Sequence, residues 1–229
     1  MLWKNDKELF ALAKKELFTA LVGDIMDSKK RYHQFLSQSL KPLDPKQVVI
    51  GRALPVLEAD VFGDRVANTH LSVMEKPFGL MFHALDDLKE DEVYVASGSS
   101  FNYAMWGGMM TARAKVLKSA GAVLNGFTRD TPDILAQDFP CFSRGTYAQD
   151  QGVRGKVIDY RVPIEIEGVR INPGDIIYGD LDGVIVVPQD IEREVFEEAL
   201  EKGRAENKLR EAVENGMSAV EAYRTFGIF

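Results

Sequence analysis

An arginine and an aspartate stand side by side at positions 129 and 130, and two glycines stand together at 107 and 108. A guanidinium presents parallel N–H donors that match a carboxylate or an enolate oxygen. A carboxylate offers hard oxygen to Mg2+ or Mn2+. Together Arg129 and Asp130 suit a reaction in which negative charge develops on an oxygen atom. The glycines suit its other half. A helix that begins just after Gly107-Gly108 directs the free backbone N–H groups of Gly107, Gly108 and Met109 outward with partial positive charge, and glycine lets a ligand approach that backbone closely. Between the two features, residues 111–120 read as helix and 122–124 as a short buried strand. A strand wound back beside the helix start brings Arg129 and Asp130 to the same crevice. Spacing alone leaves two plainer alternatives open: a mere tight turn at Gly107-Gly108, and an exposed ion pair with Asp130 capping the next helix.

Other common chemistries find no footing. His33, His70 and His83 are far apart and form no HxH or HExxH pair, so each reads as a surface or core histidine. The single cysteine, Cys141, follows Pro140 with no base nearby in sequence and reads as a packed small residue. One cysteine also excludes an intrachain disulfide and a thiolate metal cage. No glycine pattern spells a dinucleotide or ATP loop. With a net charge of -7 and a pI near 5.1, the chain lacks the basic character of a general nucleic-acid or anionic-membrane binder. The amino-terminal segment carries charge throughout, unlike a secretory signal, and no run approaches bilayer-spanning length. These features predict a soluble cytoplasmic protein with no nucleic-acid or membrane partner. Its 229 residues, 45% apolar, suffice for one sizeable domain.

Helical spacing from Leu9 to Met26 predicts a helical segment over about 6–27, interrupted near Gly23-Asp24, with Asp24 and Asp27 read as caps. Residues 40–45 read as a proline-punctuated loop, and 48–56 as a strand in which Gly51 marks a bulge. No clear period emerges over 58–77. A short helix is expected over 78–88, a buried strand over 92–96, and a helix started by Thr131 as N-cap with Pro132 at its first position. Beyond Gly155, tight turns at Glu167-Gly168, Asn172-Pro173-Gly174-Asp175 and Leu181-Asp182-Gly183 separate β segments. This implies an antiparallel section beside the earlier βαβ part. Asp190 is placed to cap a charged helix to about 214, and Ser218 with Glu221 has capping-box spacing for a last one, giving a helical segment over about 190–226.

The segments WGGMMTARA, GAVLNGFTRD, RGTYAQDQGVRGKV, VPIEIEGVRINPGDIIYGDLDGVIVVP and NGMSAVEAYRTFG, in this order, resemble the RraA-like family, with a weaker match in LVGDIMD and GRALPV. That family includes the class II 4-hydroxy-4-methyl-2-oxoglutarate aldolases and the regulator of ribonuclease activity that names it. The resemblance covers most of the chain beyond about residue 90. It implies an α/β fold of the β/β/α swivelling type, a mixed sheet with flanking helices in one domain over residues 1–229, assembled as a homotrimer or hexamer with sites at subunit boundaries. It further implies a metal-dependent lyase that cleaves or decarboxylates a 2-oxo acid, such as the named aldolase substrate or oxaloacetate. In that reading Arg129 binds pyruvate oxygen and stabilises the enolate, and Asp130 holds Mg2+ or Mn2+. The amides of Gly107, Gly108 and Met109 take the substrate carboxylate. Glu206 is the nearest match to a glutamate that supports the metal shell from a neighbouring subunit.

The sequence departs from the pattern at Gly108, where these aldolases usually carry an acid that organises the metal's water and a proton-transferring water. One particular aldolase reaction therefore does not follow from the resemblance. The ribonuclease regulator lacks the aspartate of the pair, so Asp130 favours an enzyme over the alternative, a non-catalytic regulator that binds a ribonuclease or other protein. A methyltransferase, a label also attached to the family, finds no glycine-rich strand-to-helix loop here.

Overall fold

The computed structural model describes residues 2–61, 63 and 69–227. Helices α1 (Asp6–Glu16) and α2 (Thr19–Ser28) come first, then β1 (Lys41–Pro42), β2 (Val49–Asp60), a 3-10 turn (Ser72–Glu75), α3 (Met81–Asp86), β3 (Glu92–Ser97) and β4 (Ala104–Trp106). The chain continues through α4 (Gly108–Val116), β5 (Gly121–Leu124), β6 (Phe127–Thr128), α5 (Thr131–Ala136), β7 (Cys141–Ser143) and β8 (Gly155–Tyr160). It closes with β9 (Ile164–Ile166), β10 (Val169–Ile171), β11 (Ile176–Gly179), β12 (Val184–Val187), α6 (Glu192–Glu214) and α7 (Ala219–Phe226). Two compact units result: the described residues through Tyr32 together with those from Asp190 onward, and residues 33–189.

In the helical unit the break falls at Leu17-Phe18, both extended, and Gly23 lies buried inside α2. Gly203 of α6 explains the position. A Cβ there would sit 3.1 Å from Leu21 Cδ2 and 3.4 Å from Glu16 O, so α6 runs close against the α1–α2 junction. Asp24 is not a cap but pairs with Lys202 at 2.7 Å. Asp190 likewise leaves the N-cap position of α6 to Ile191 and pairs with Arg31 at 2.7 Å. The last helix does carry its cap, Ser218 Oγ accepting from the Glu221 amide at 3.2 Å.

The second unit is built on β2. Its first half pairs antiparallel with β11 and its second half antiparallel with β8, while β3 runs parallel along its other side. The full order is β1-β7-β5-β3-β2-β11-β12, with β8 beside β2. The expected loop at 40–45 thus contributes a two-residue strand, Lys41 opposite Ser143. Parallel β3 and β5 are buried along their whole length, as strands covered on both faces must be. Alternate residues feed two cores. Tyr94, Ala96, Ala122 and Leu124 pack with Trp106 and residues of α3–α5, whereas Val93, Val95 and Val123 pack with the β9–β10 hairpin and β11–β12.

Gly51 does not mark the bulge. The register shift lies at Leu57/Glu58, and Gly51 is required because Asp91 O would stand 2.3 Å and Ala120 Cβ 2.9 Å from an added Cβ. Gly51→Ala is accordingly expected to lower stability by about 1–3 kcal/mol through overpacking, read as a drop in the urea midpoint at unchanged slope. Within 58–77, residues 62 and 64–68 lie outside the described residues. The buried Lys156 on β8 donates from Nζ to Met74 O at 2.5 Å and Lys76 O at 2.8 Å, anchoring the segment that leads to Phe78.

Candidate functional site

Arg129 does not extend the main-sheet strand β5. After β5 the chain forms β6, which pairs parallel with β4 in a separate two-stranded sheet, Trp106 opposite Thr128. Gly126 permits this, since a Cβ there would meet Met105 Sδ at 2.4 Å. The Arg129 amide then donates to Trp106 O at 2.9 Å, which sets Arg129 and Asp130 directly beside Gly107. Trp106 is itself fixed: its Nε1 donates to Thr111 Oγ1 at 2.7 Å, and its ring stacks on Phe139 at 6.0 Å and packs on Tyr94 at 5.0 Å.

Asp130, rather than Thr131, is the N-cap of α5, in a left-handed conformation with φ 56° that aspartate tolerates better than most residues. Its side chain does not cap α5. It turns back to the start of α4, where Oδ2 accepts from the Gly108 amide at 3.2 Å. The Gly108 N–H is therefore engaged, and the first-turn amides of Met109 and Met110 are the ones without a helical partner. Both glycines leave room for this approach. A Cβ on Gly107 would lie 2.7 Å from Asp130 Oδ2, and one on Gly108 would lie 2.0 Å from Asp133 Oδ2. Asp133, which the sequence reading passed over, thus fills the space beside residue 108, and Gln137 Nε2 completes the clasp by donating to Gly108 O at 3.2 Å.

Arg129 and Asp130 are not each other's closest partners. Arg129 Nη1 lies 2.8 Å from Asp150 Oδ1, whereas its Nε is 3.9 Å from Asp130 Oδ2. Asp150 is held in turn by the Gly152 amide at 2.7 Å. The loop that carries it is tied to the small sheet by Tyr147 N to Thr128 O and Ala104 N to Gln149 O. Arg129, Asp130, Asp150 and Gln151 line a cavity of about 220 Å3 together with Phe78, Phe82, Trp106, Met109 and Met110. Asp150 and Gln151 carried no spacing signal of their own. Glu206 belongs to the helical unit, 3.8 Å from Lys202.

Behind Gln151 lies Glu58, fully buried. Its Oε2 accepts from Gln151 Nε2 at 3.3 Å and Tyr103 Oη at 3.4 Å. Among the described residues, the buried Glu58 Oε1 and Tyr94 Oη find no hydrogen-bond partner. Burial pushes the Glu58 carboxyl up to about 8 against the opposing pull of Tyr103 and Gln151, so it is protonated at neutral pH. Cys141 is buried and its thiol pushed up by desolvation, consistent with a packing role.

The family model described as RraA-like, Aldolase/RraA, matches residues 19–186. The chain belongs to the RraA-like family. A relative from Halalkalibacterium halodurans is 31% identical over 206 residues, covering 90% of this chain and 89% of its own, and bears the name "Putative 4-hydroxy-4-methyl-2-oxoglutarate aldolase". A solved structure described as that of novel cellulases from microbes associated with the gut ecosystem is 35% identical, with a TM-score of 0.79 over 90% of this chain and 88% of that one. The Streptomyces coelicolor protein RraAS2, described as an unusual member of the RNase ES inhibitor RraA family, shares the fold at a TM-score of 0.76 and 23% identity, over 91% of this chain and 98% of its own. Aldolase names among RraA-like relatives support a lyase at the level of the family. Among the described residues no helix is long and apolar enough to cross a membrane.

Proposed function

We propose that this RraA-like chain is a divalent-metal-dependent lyase that releases pyruvate from a 2-oxo acid, by retro-aldol cleavage or decarboxylation through a pyruvate enolate. The observation that carries the reading is the convergence of Arg129, Asp130 and the start of α4 on one cavity. Asp150 holds one edge of the Arg129 guanidinium and so fixes its plane, which orients the remaining donors toward a substrate carboxylate or 2-oxo oxygen. The amides of Met109 and Met110 remain for the substrate carboxylate. Arg129 stabilises the charge that develops on the enolate oxygen.

Asp130 suits Mg2+ or Mn2+ as a hard oxygen donor. Its side chain is half exposed, and Oδ1 accepts no hydrogen bond among the described residues. Those residues contain no cluster of three His, Cys, Asp or Glu, and one or two carboxylates completed by water and substrate are the usual Mg2+ set. A divalent ion supplies Lewis acidity toward the 2-oxo oxygen. We assign to Asp133 the part that an acid at position 108 would take, because its exposed carboxylate occupies the space of a residue-108 side chain. There it orients a proton-carrying water. Asp133→Ala should lower kcat by about a hundredfold or more with little change in melting temperature; an unaltered kcat would remove Asp133 from this part.

The test of the whole reading is a coupled pyruvate-release assay over several 2-oxo acids with Mg2+, Mn2+ or chelator. Ion-dependent release is expected. No release from any acid, together with a stable complex with a ribonuclease, would replace the lyase by a regulator. A homotrimer or hexamer belongs to the same proposal, and the molar mass in solution, against 25.6 kDa for one chain, tests it.

A further inference from the structure

One buried polar cluster has no part in the chemistry above. Glu58, Tyr94, Tyr103 and Gln151 are each at most 4% exposed, so they are shut off within one chain and a neighbouring copy does not reach them. A carboxyl in this place is costly. Burial disfavours its ionised form, Asp60 on the same strand adds a like charge, and Oε1 finds no hydrogen-bond partner among the described residues. An apolar side chain of similar volume would spare that cost, so stability alone does not account for Glu58.

What Glu58 supplies is an acceptor shared by two segments of the site. Its Oε2 accepts from Gln151 Nε2 at 3.3 Å and from Tyr103 Oη at 3.4 Å. Tyr103 immediately precedes β4, and Gln151 immediately follows Asp150. The same two segments meet again where Ala104 N donates to Gln149 O at 2.9 Å. Glu58 therefore ties the loop to the start of β4 from the interior. Space for Tyr103 is kept by Gly155, where a Cβ would stand 2.0 Å from Tyr103 Oη.

The place of residue 151 gives this tie its consequence. Asp150 Oδ1 lies 2.8 Å from Arg129 Nη1, and Asp150 Oδ2 accepts from the Gly152 amide at 2.7 Å. Gln151 stands between the carboxylate that holds the guanidinium and the amide that holds the carboxylate. A shift of Gln151 moves both, and with them the plane of Arg129.

We propose that Glu58 is a positioning residue, which seats Gln151 from the interior and, through the turn at Asp150, sets the orientation of Arg129 toward the substrate. The inference rests on the lyase reading above and adds a residue that touches neither substrate nor ion. Misplacing a reacting group by about 1 Å can cost on the order of a hundredfold in rate. Because Arg129 acts on charge that develops in the transition state, loss of the Glu58 acceptor should be read in kcat more than in KM.

The test measures kcat and KM for pyruvate release at neutral pH in the wild type, Glu58→Gln, Glu58→Met, Gln151→Met and the double variant Glu58→Met/Gln151→Met. Glutamine keeps an acceptor for Gln151 and Tyr103, and its kcat should stay within about threefold of the wild type. Methionine fills the volume without an oxygen, and its kcat should fall by about tenfold or more with KM little changed. The double variant should be no slower than Gln151→Met alone, because both substitutions remove the same contact. An unchanged kcat in Glu58→Met, equal losses in Glu58→Gln and Glu58→Met, or losses that multiply in the double variant would each overturn the proposal and leave the lyase standing. If Glu58→Met does not fold, Gln151→Met breaks the same bond from the loop, and an unchanged kcat there overturns the proposal. A wild type that releases pyruvate from no 2-oxo acid overturns the lyase reading and this inference together.

Discussion

Asp130→Ala is expected to lower ion-dependent pyruvate release by about a hundred- to a thousandfold, the usual cost of one electrostatic contact to a developing oxyanion. Two losses combine in this variant. The donor oxygen proposed for the ion disappears, and the Gly108 amide, bonded to Oδ2 at 3.2 Å, loses its acceptor. Alanine is also less tolerant than aspartate of the left-handed conformation at residue 130, so a modest drop in melting temperature accompanies the change. Asp130→Asn separates these effects. Asparagine keeps an acceptor for the amide and tolerates φ 56°, yet carries no charge. It should therefore melt like the wild type while losing Mn2+ binding, measured by titration calorimetry, and pyruvate release. Activity retained in both variants would exclude Asp130 from the mechanism.

Folding stability should fall as pH rises from about 5 to 8, with Glu58 as the chief cause. In the unfolded chain this carboxyl ionises near 4.5, whereas burial holds its proton in the folded chain until about 8. Between these values the folded state binds the additional proton, so each unit of pH removes roughly 1.4 kcal/mol from this group's contribution. Above about 8 both states are ionised and the curve flattens. The whole span is on the order of 5 kcal/mol. Glu58→Gln keeps acceptance from Tyr103 and Gln151 but cannot ionise. Its urea-derived stability should lack this slope and exceed that of the wild type at pH 8. Equal slopes in the two proteins would show that Glu58 does not titrate between these limits.

Much of this organisation was legible in sequence because local physics decided it. The helix after Gly107-Gly108, the buried β5 run and the turn-separated strands beyond Gly155 each follow from period, glycine and turn chemistry. What escaped depended on contacts between distant residues. The break in the first helical segment sits where α6 crosses, a fact carried by Gly203 rather than by Gly23. The small β4–β6 sheet is too short for any periodicity, and it is this sheet that delivers Arg129 to the cavity. Asp150 and Gln151 lie in a loop whose position is set by hydrogen bonds to Thr128 and Ala104, which no spacing rule records. Arg129-Asp130 was visible as a pair, yet the pairing that matters is Arg129 with Asp150 and Asp130 with the Gly108 amide.

The clasp around Gly108 also bears on how relatives of this chain are compared. A side chain at 108 and the Asp133 carboxylate compete for one volume, with 2.0 Å between the would-be Cβ and Oδ2. In the role proposed above for Asp133, the two positions are alternatives, an acid arriving from either helix into the same place. Scored one column at a time, a glycine at 108 looks like a lost function and an aspartate at 133 like surface variation. Scored jointly, the two columns should trade an acid for a small residue across lineages, and the unit under selection is the filled volume rather than either residue.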